Sequence, residues 1–406
     1  MSKIVVIGLG YIGLPTAGMF AHNGHEVVGV DISPYVVNTI NKGEIHLEEP
    51  GLAEFIRECV EAGNLRGSLT PESADAFIIA VPTPMLADKQ ADLSYVEAAT
   101  KTLVPYLKTG DLVVLESTVP PMTTEKVVGD ILREGGLDPL HDLNVVHSPE
   151  RVLPGRIMTE LVENDRVIGG LTAEASQLAY ELYKSFVKGD IHLTDATTAE
   201  MVKLMENTTR DVNIALANQF AIIAEQLNVN VWEAIEFANR HPRINILKPG
   251  PGVGGHCIAI DPWFLIHSVP LVPELLVKAR QLNDFMPSYV SQKVLDLSQK
   301  HSIVKPKVAA LGLAYKADVD DPRESPAIEV IHQLMNAGCE VAAYDPFIQT
   351  VVGVPCVESL EAAVQDADCI LVLTDHAYFQ ELIPAQFVTQ LSNPIVVDTR
   401  HCLPHD

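Results

Sequence analysis

The sequence predicts an α/β protein: two Rossmann-like, doubly wound domains joined by a central helical region with one long helix. Three observations carry that prediction. The chain opens with an apolar strand feeding a glycine-rich turn, Gly8-Leu9-Gly10-Tyr11-Ile12-Gly13. A degenerate copy of the same strand, turn, helix and strand recurs from Lys307 to Asp345. Between them, Thr197 to Asn239 has apolar residues at helical spacing and no proline before Pro242. The domains expected are 1–195, 196–300 and 301–406, in keeping with roughly 150 residues per domain.

Lys3 to Ile7 is continuous and β-branched, which suits a central strand of a parallel sheet covered on both faces. The lysine before this apolar run gives it the outline of a signal peptide, but Gly8, Gly10, Gly13 and Pro15 break the stretch that follows. A buried strand entering a tight turn fits better. Leu14 to His22 then has helical composition, and after Gly24 a second apolar run, Glu26 to Val30, ends in Asp31. This is one βαβ unit, and each part serves dinucleotide binding. Gly8 permits the tight turn, Gly10 lets the backbone approach a pyrophosphate, and Gly13 lets the helix pack on the strand, while the helix N-terminus offers N–H donors to the phosphates. Asp31, 18 residues beyond Gly13, would accept from the adenosine ribose hydroxyls and repel a 2′-phosphate. The expected cofactor is NAD.

Ala76 to Val81 and Asp111 to Leu115 read as further strands, followed by Pro82-Thr83-Pro84 and Glu116-Ser117-Thr118. Strand carboxyl ends hold the ligand in an open α/β sheet, so Thr83 and Thr118 are candidate cofactor contacts, although taken alone each reads first as a helix cap. A last strand, Asn144 to His147, leads into Ser148-Pro149-Glu150-Arg151-Val152.

In the middle region, Val212, Leu216, Phe220, Ile223 and Leu227 form one apolar stripe, expected to lie in the core or at a subunit interface. Lys203, Asn207 and Arg210 stand at i, i+4 and i+7 and share a face, either solvated or turned towards a reactive group. The candidate for that group is Cys257, in Pro249-Gly250-Pro251-Gly252-Val253-Gly254-Gly255-His256-Cys257. The glycines before it leave the backbone bare, so a large substrate would approach closely. Asp261-Pro262 then reads as the cap and first residue of a helix. A thiol near a helix N-terminus and a lysine has its thiolate favoured, as a nucleophile requires. His256 is either a base or a hydrogen-bonded structural histidine.

In the C-terminal copy, Lys307 to Leu311 is the strand, Gly312-Leu313-Ala314-Tyr315-Lys316 the turn, Pro326 to Ala337 the helix, and Glu340 to Tyr344 the strand before Asp345. Ala314 replaces the second glycine and Lys316 follows, which argues against a second NAD and for a single nucleotide phosphate. Composition sets limits on the partners. With 28 Lys and Arg against 53 Asp and Glu, the net charge of −25 argues against nucleic acid. No apolar run reaches the roughly 18 residues of a membrane span. Six cysteines without C-x-x-C spacing argue against a disulfide framework and a zinc site, so no metal is expected and the expected compartment is the reducing cytoplasm.

Gly-Leu-Gly-Tyr-Ile-Gly-Leu-Pro at 8–15, Glu-Pro-Gly-Leu at 49–52, Ser-Pro-Glu-Arg at 148–151, Gly-Gly-His-Cys-Ile at 254–258 and Gly-Leu-Ala-Tyr-Lys followed by Asp321-Pro-Arg323-Glu-Ser-Pro resemble the UDP-sugar 6-dehydrogenases, in order along the whole chain. His241-Pro-Arg243-Ile-Asn-Ile-Leu-Lys-Pro-Gly-Pro-Gly and Ala-Ile-Asp-Pro-Trp-Phe after the cysteine are similar to the branch acting on UDP-N-acetyl-D-mannosamine. The resemblance implies a four-electron oxidation of the sugar C6 hydroxyl to a carboxylate with two NAD in succession. Lys203 would be the base of the first step, and Cys257 would capture the aldehyde as a thiohemiacetal whose oxyanion Lys203 and Asn207 stabilise. The thioester made by the second oxidation would be hydrolysed by water ordered by Asp261 with Thr118 or Glu150. By position, Tyr11, Ile12, Asp31, Thr83, Thr118 and Arg323 match the family's NAD contacts. Arg151, Val152, Lys203, Asn207, Arg210, His241, Arg243, Gly254, Tyr315, Lys316 and Arg400 match its contacts to the UDP-N-acetylhexosamine. Arg156, Arg166 and Arg240 would fit solvated surface as well, and no role is assigned to them. The family's long helix implies a homodimer or higher homo-oligomer, and its uronate products imply polysaccharide biosynthesis.

Three alternatives stand beside this reading. The same chemistry would act on UDP-N-acetylglucosamine or UDP-glucose. A hydroxyacid dehydrogenase would transfer one hydride and leave the glycines before Cys257 unexplained. A non-catalytic NAD or nucleotide-sugar sensor would have no use for Lys203, Asn207, Cys257 and Asp261.

Overall fold

The computed structural model describes residues 2–269, 271–382 and 387–404. By compactness the chain divides into two units, Met1–Glu206 with Trp263–Ser268, and Asn207–Pro262 with Val269–Asp406.

The first unit is built on an eight-stranded sheet of β1 (Lys3–Ile7), β2 (Glu26–Val30), β3 (Leu65–Ser68), β4 (Ala76–Ile79), β5 (Leu112–Leu115), β6 (Asn144–His147), β7 (Arg166–Gly170) and β8 (Ile191–Asp195). Their order is β3-β2-β1-β4-β5-β6-β7-β8, parallel throughout except where β7 runs against β6. The first six strands follow the dinucleotide-binding order, with the direction of winding reversing between β1 and β4. Because side chains alternate along a strand, Ile4, Val6, Ile78 and Val114 build the core on one face and Val5, Ile7, Phe77 and Val113 that on the other. Helices on both sides bury these faces, which is why the strands read as unbroken apolar runs. The fourth and fifth strands end at Ile79 and begin at Leu112, shorter than the sequence runs suggest, and β7 and β8 extend the sheet beyond what was expected to be its last strand.

The second unit holds a parallel sheet ordered β10-β9-β11-β12, from β9 (Lys307–Leu311), β10 (Glu340–Tyr344), β11 (Cys369–Val372) and β12 (Ile395–Asp398). Val290 and Val294 of the helix Glu274–Lys300 pack with Val330 and Leu334 of the helix Pro326–Asn336 over one face of this sheet. The helix expected to run from Thr197 to Asn239 is two helices, Ala196–Gln226 and Val231–Ala238. No proline is needed to stop the first. Asn228 takes a left-handed conformation (φ 55°), its N–H donates to the Glu225 carbonyl, and the N–H of Val229 donates to that of Ala224, the paired bonds of a Schellman ending. Asn230 then caps the second helix through the N–H groups of Trp232 and Glu233. Leu216, Phe220, Ile223 and Leu227 are 38–68% exposed, so the stripe is not core of this chain. Among the described residues no helix is long and apolar enough to cross a membrane.

A buried polar network ties the C-terminal part of the long helix to Glu274–Lys300. Arg280 Nη1 donates to Asp211 Oδ1 at 2.5 Å, and Asn283 Nδ2 donates to the same oxygen at 2.8 Å. Asn218 Nδ2 donates to Asn283 Oδ1 at 2.9 Å, and all four residues are at most 2% exposed. Arg280→Ala strands the Asp211 carboxylate without its cation, so stability should fall by about 3–5 kcal/mol, read as a lower urea midpoint. A double change to Asp211→Leu and Arg280→Met should recover most of that loss.

Candidate active site

In the first unit the glycine turn has the geometry its spacing implies. Gly8 sits at φ 89°, and a Cβ there would stand 2.7 Å from the Ala80 carbonyl oxygen. A Cβ on Gly13 would lie 1.8 Å from the Gly8 carbonyl oxygen, so the helix Gly13–His22 starts against the turn only because neither residue has a side chain. A Cβ on Gly10 would meet nothing within 4 Å, which leaves the space a pyrophosphate needs, with Ile12 at the helix N-cap and Tyr11 beside it 44% exposed. Asp31 accepts from the N–H groups of Leu9 (3.1 Å) and Ser33 (2.9 Å). Each oxygen keeps a second lone pair for a ribose hydroxyl. The residues present therefore fit NAD.

Thr83 and Thr118 are joined directly, since Thr83 Oγ1 donates to the Thr118 carbonyl at 2.6 Å. Neither caps a helix. Glu150 is 8% exposed and pairs with Arg166, while Arg151 reaches Glu206 at 2.6 Å and donates to the Asp165 carbonyl. Val152 packs partly buried against the core, and Lys203 is half-buried on the long helix. Arg166 corrects the sequence reading. It is 4% exposed, with its guanidinium 4.3 Å above the Tyr183 ring. Arg156 and Arg240 are exposed, as surface residues. The Glu-Pro-Gly-Leu motif also finds a purpose. Buried Glu49 accepts from the N–H groups of Gly155 (2.7 Å) and Ile157 (2.8 Å), which closes the loop after Arg151 and satisfies the start of the next helix. Glu200, three residues before Lys203, accepts from the N–H groups of Met122 and Thr124 and from the Thr124 hydroxyl, and burial pushes its carboxyl up to about 7. Glu49 stood within a recognisable motif but without a stated role, whereas Arg166 and Glu200 had no sequence signal beyond their charge, since only partners distant in sequence disclose them.

In the second unit Cys257 is exposed, and its carbonyl accepts from the N–H groups of Ile260 (3.0 Å) and Asp261 (2.8 Å) at the entry to the helix Asp261–Ser268. Ile260, not Asp261, is the N-cap. The Asp261 side chain instead accepts from Asn207 Nδ2 at 2.5 Å, with both residues buried. The structure thus brings together Asn207, Asp261 and the cysteine turn.

The glycines before Cys257 serve packing. A Cβ on Gly250 would lie 2.3 Å from Arg400 Nη1, on Gly254 2.4 Å from the Glu324 carbonyl oxygen, and on Gly255 2.7 Å from the Tyr315 ring. Gly252 lies by Pro326 and by the Asn283 carbonyl, which Pro287, having no N–H, leaves without its helical donor. The loop therefore runs at backbone distance along Tyr315 and Arg400, two of the residues matched to UDP-sugar contacts. Arg400 also pairs with Asp375 (2.8 Å), and Arg323 forms a bidentate pair with Asp321. Lys316 is half-buried. His241, Arg243 and Arg210 are exposed, and Asn213 and Asn239 pin the segment after Arg243 by bonds to the backbone of residues 245–247. Partial burial and the nearby Arg323 cation hold His256 below the usual histidine range.

The second nucleotide turn differs from the first in its acid. Asp345, 5% exposed, accepts from the N–H groups of Leu313, Ala314, Phe347 and Ile348 and from His376 Nε2 at 3.0 Å. His376 Nδ1 accepts from the Asp318 N–H, which puts the proton on Nε2. Asp345 is thereby occupied by structure, whereas Asp31 retains acceptor capacity.

The sequence matches three models of the UDP-glucose/GDP-mannose dehydrogenase family: its NAD binding domain at residues 2–187, its central domain at 197–285 and its UDP binding domain at 309–405. A UDP-N-acetyl-D-mannosamine dehydrogenase of Methanococcus maripaludis is 48% identical over 100% of this chain and 94% of its own. An NDP-N-acetyl-D-galactosaminuronic acid dehydrogenase of Ralstonia nicotianae is also 48% identical, over 98% of this chain and 95% of its own. The structure of a UDP-D-ManNAc dehydrogenase from Pyrococcus horikoshii superposes with a TM-score of 0.94 at 44% identity, covering 100% of this chain and 96% of that one. The agreement spans the dinucleotide turn, the cysteine loop and the second nucleotide turn, and this chain belongs to the UDP-glucose/GDP-mannose dehydrogenase family as an NAD-dependent oxidoreductase.

Proposed function

We propose that this enzyme oxidises the C6 hydroxyl of UDP-N-acetyl-D-mannosamine to the carboxylate, giving UDP-N-acetyl-D-mannosaminuronate through covalent intermediates on Cys257. The observation that carries the reading is the packing of the Cys257 loop along Tyr315 and Arg400, with the buried Asn207–Asp261 pair at the same turn. A cysteine is thereby held next to residues suited to a nucleotide diphosphate. Full-length similarity to enzymes named for the mannosamine substrate supports the choice of sugar.

The Gly8–Gly13 turn, Tyr11, Ile12, Asp31, Thr83 and Thr118, with Arg323 as a further contact, would hold NAD, which would supply the hydride acceptor for each of two oxidations at C6. Lys203 takes the hydroxyl proton in the first. The Cys257 thiolate adds to the aldehyde carbon, and Lys203 and Asn207 stabilise the oxyanion so formed. After the second oxidation the sulfur holds an acyl group as a thioester, and water activated by Glu150, with Asp261 and Thr118 as orienting groups, releases the acid. The balance is one alcohol, one water and two NAD⁺ to one carboxylate, two NADH and three protons. Arg151, Val152, Arg210, His241, Arg243, Gly254, Lys316 and Arg400 bind the UDP-sugar, their cations offsetting the acidity of the chain locally. The exposed stripe of the long helix supports a homodimer or higher homo-oligomer, a second copy covering Leu216, Phe220 and Ile223. A galactosamine nucleotide is the second reading, on the equal identity to the Ralstonia enzyme.

With limiting UDP-N-acetyl-D-mannosamine and excess NAD, two NADH per sugar are expected, against none from UDP-N-acetylglucosamine, UDP-N-acetylgalactosamine or UDP-glucose. One NADH per sugar would overturn the four-electron scheme, and turnover of another sugar alone would overturn the substrate. Cys257→Ala should abolish acid formation, measured by mass spectrometry of the products. Asp31→Ala should raise the KM for NAD about ten- to a hundredfold, the weight of charge-assisted hydrogen bonds to the ribose, and narrow the preference over NADP.

A further inference from the structure

Two buried carboxyls of the first unit share one cation. Glu116, directly after β5, and Glu150, in the loop after β6, are 2% and 8% exposed, and both pair with Arg166 of β7. The other groups facing Glu116 are neutral. The Tyr183 hydroxyl, from the helix Ala173–Tyr183, donates to Glu116 Oε1 at 2.6 Å, the oxygen that also receives Arg166 Nη1 at 3.3 Å. Among the described residues, the hydrogen-bond partner of Glu116 Oε2 is Thr16 Oγ1, at 3.3 Å. Arg166 Nη1 reaches Ser148 Oγ at 3.1 Å as well. Two ionised carboxyls on one guanidinium would leave a buried negative charge without a partner, at a cost that a single proton removes. The arrangement says where that proton sits. Oε1 is filled by two donors, which leaves Oε2 as the seat for the proton, beside the Thr16 hydroxyl, which can turn its oxygen to receive it. Burial also drives the Glu116 carboxyl up, against the opposing pull of Arg166.

We propose that Arg166 and a neutral Glu116 are positioning residues for the hydrolytic step: Glu116 anchors one side of the guanidinium so that its other side aims the Glu150 carboxylate at the attacking water. The proposal rests on the reading of Glu150 as the water's base. In that step the water oxygen bonds to the acyl carbon, its proton passes to Glu150, the C–S bond breaks and Cys257 leaves as thiolate. Arg166 suits the task because its planar fork holds two carboxyls at once, which a lysine ammonium does not.

The test is burst kinetics with UDP-N-acetyl-D-mannosamine together with intact-protein mass spectrometry. Arg166→Lys and Glu116→Ala should release two NADH per active site in a burst. Steady-state kcat should then be at least tenfold lower at unchanged kcat/KM for the sugar, with the sugar acyl group accumulating on Cys257. Glu150→Gln should behave in the same way, and Glu116→Gln should restore hydrolysis relative to Glu116→Ala, since an amide presents the same carbonyl and donor as a neutral carboxyl. A merely structural loss would lower burst and steady state together, and that outcome counts against the proposal. If Glu150→Gln traps the acyl-enzyme and Arg166→Lys does not, the positioning role is wrong. If Glu116→Gln traps it as Glu116→Ala does, Glu116 is ionised and its neutral role is wrong. If Glu150→Gln hydrolyses normally, the reading of Glu150 as base fails, and the proposal with it.

Discussion

The site of the second unit depends on one close approach: the backbone of Gly250 to Gly255 lies against Tyr315, Glu324, Pro326 and Arg400 with no room for a Cβ at four positions. Any side chain there would displace backbone, Pro326, the Arg400 cation or the Tyr315 ring on the other side. The loop is anchored at its start as well, where the Gly250 N–H donates to Asn218 Oδ1 at 2.9 Å. Asn218 in turn belongs to the buried Asn283, Asp211 and Arg280 network. A rigid polar core thus fixes the loop, and the loop fixes the turn that carries Cys257. Such support is what the proposed nucleophilic role of Cys257 would require, because a nucleophile displaced by about 1 Å loses much of its advantage.

The two nucleotide turns show how one local fold is put to different uses. Both place an acid after the second strand of a βαβ unit, and in both the acid accepts an N–H from the residue after the first glycine, Leu9 or Leu313. In the first turn the acid stays partly exposed with lone pairs to spare. In the second, four N–H donors and His376 surround Asp345 and leave it buried. With Ala314 where the fingerprint has its second glycine, the copy keeps the architecture of a dinucleotide site and drops the group that would grip a ribose. The charge balance of the whole chain says nothing of this, because both acids count equally in a net charge of −25.

Much of the fold was legible in the sequence because parallel strands buried on both faces leave an unmistakable apolar run, and because a glycine fingerprint has little steric freedom. Strand β1, the turn after it, Asp31, and their C-terminal counterparts lie where the spacing puts them. Where the reading went astray, the deciding interaction was local but subtle, or distant in sequence. Asn228 and Asn230 end one helix and start another with no proline or glycine. Asp261 has the sequence look of a cap, yet tertiary contact with Asn207 claims its side chain.

The sequence by itself determined the βαβ units, the acid Asp31 placed after the second strand, and the presence of a cysteine in a glycine-rich loop, since backbone freedom and charge at fixed spacing are written residue by residue. Only the tertiary structure decided what that loop packs against, which acid is free to bind and which is consumed, and that Arg166 is a buried cation between two carboxyls instead of a solvated one. Burial and pairing depend on groups brought together from 16 or 50 residues away, as Glu150 and Glu116 are to Arg166, or further. The desolvation that sets a charge's state exists only once the chain has closed around it.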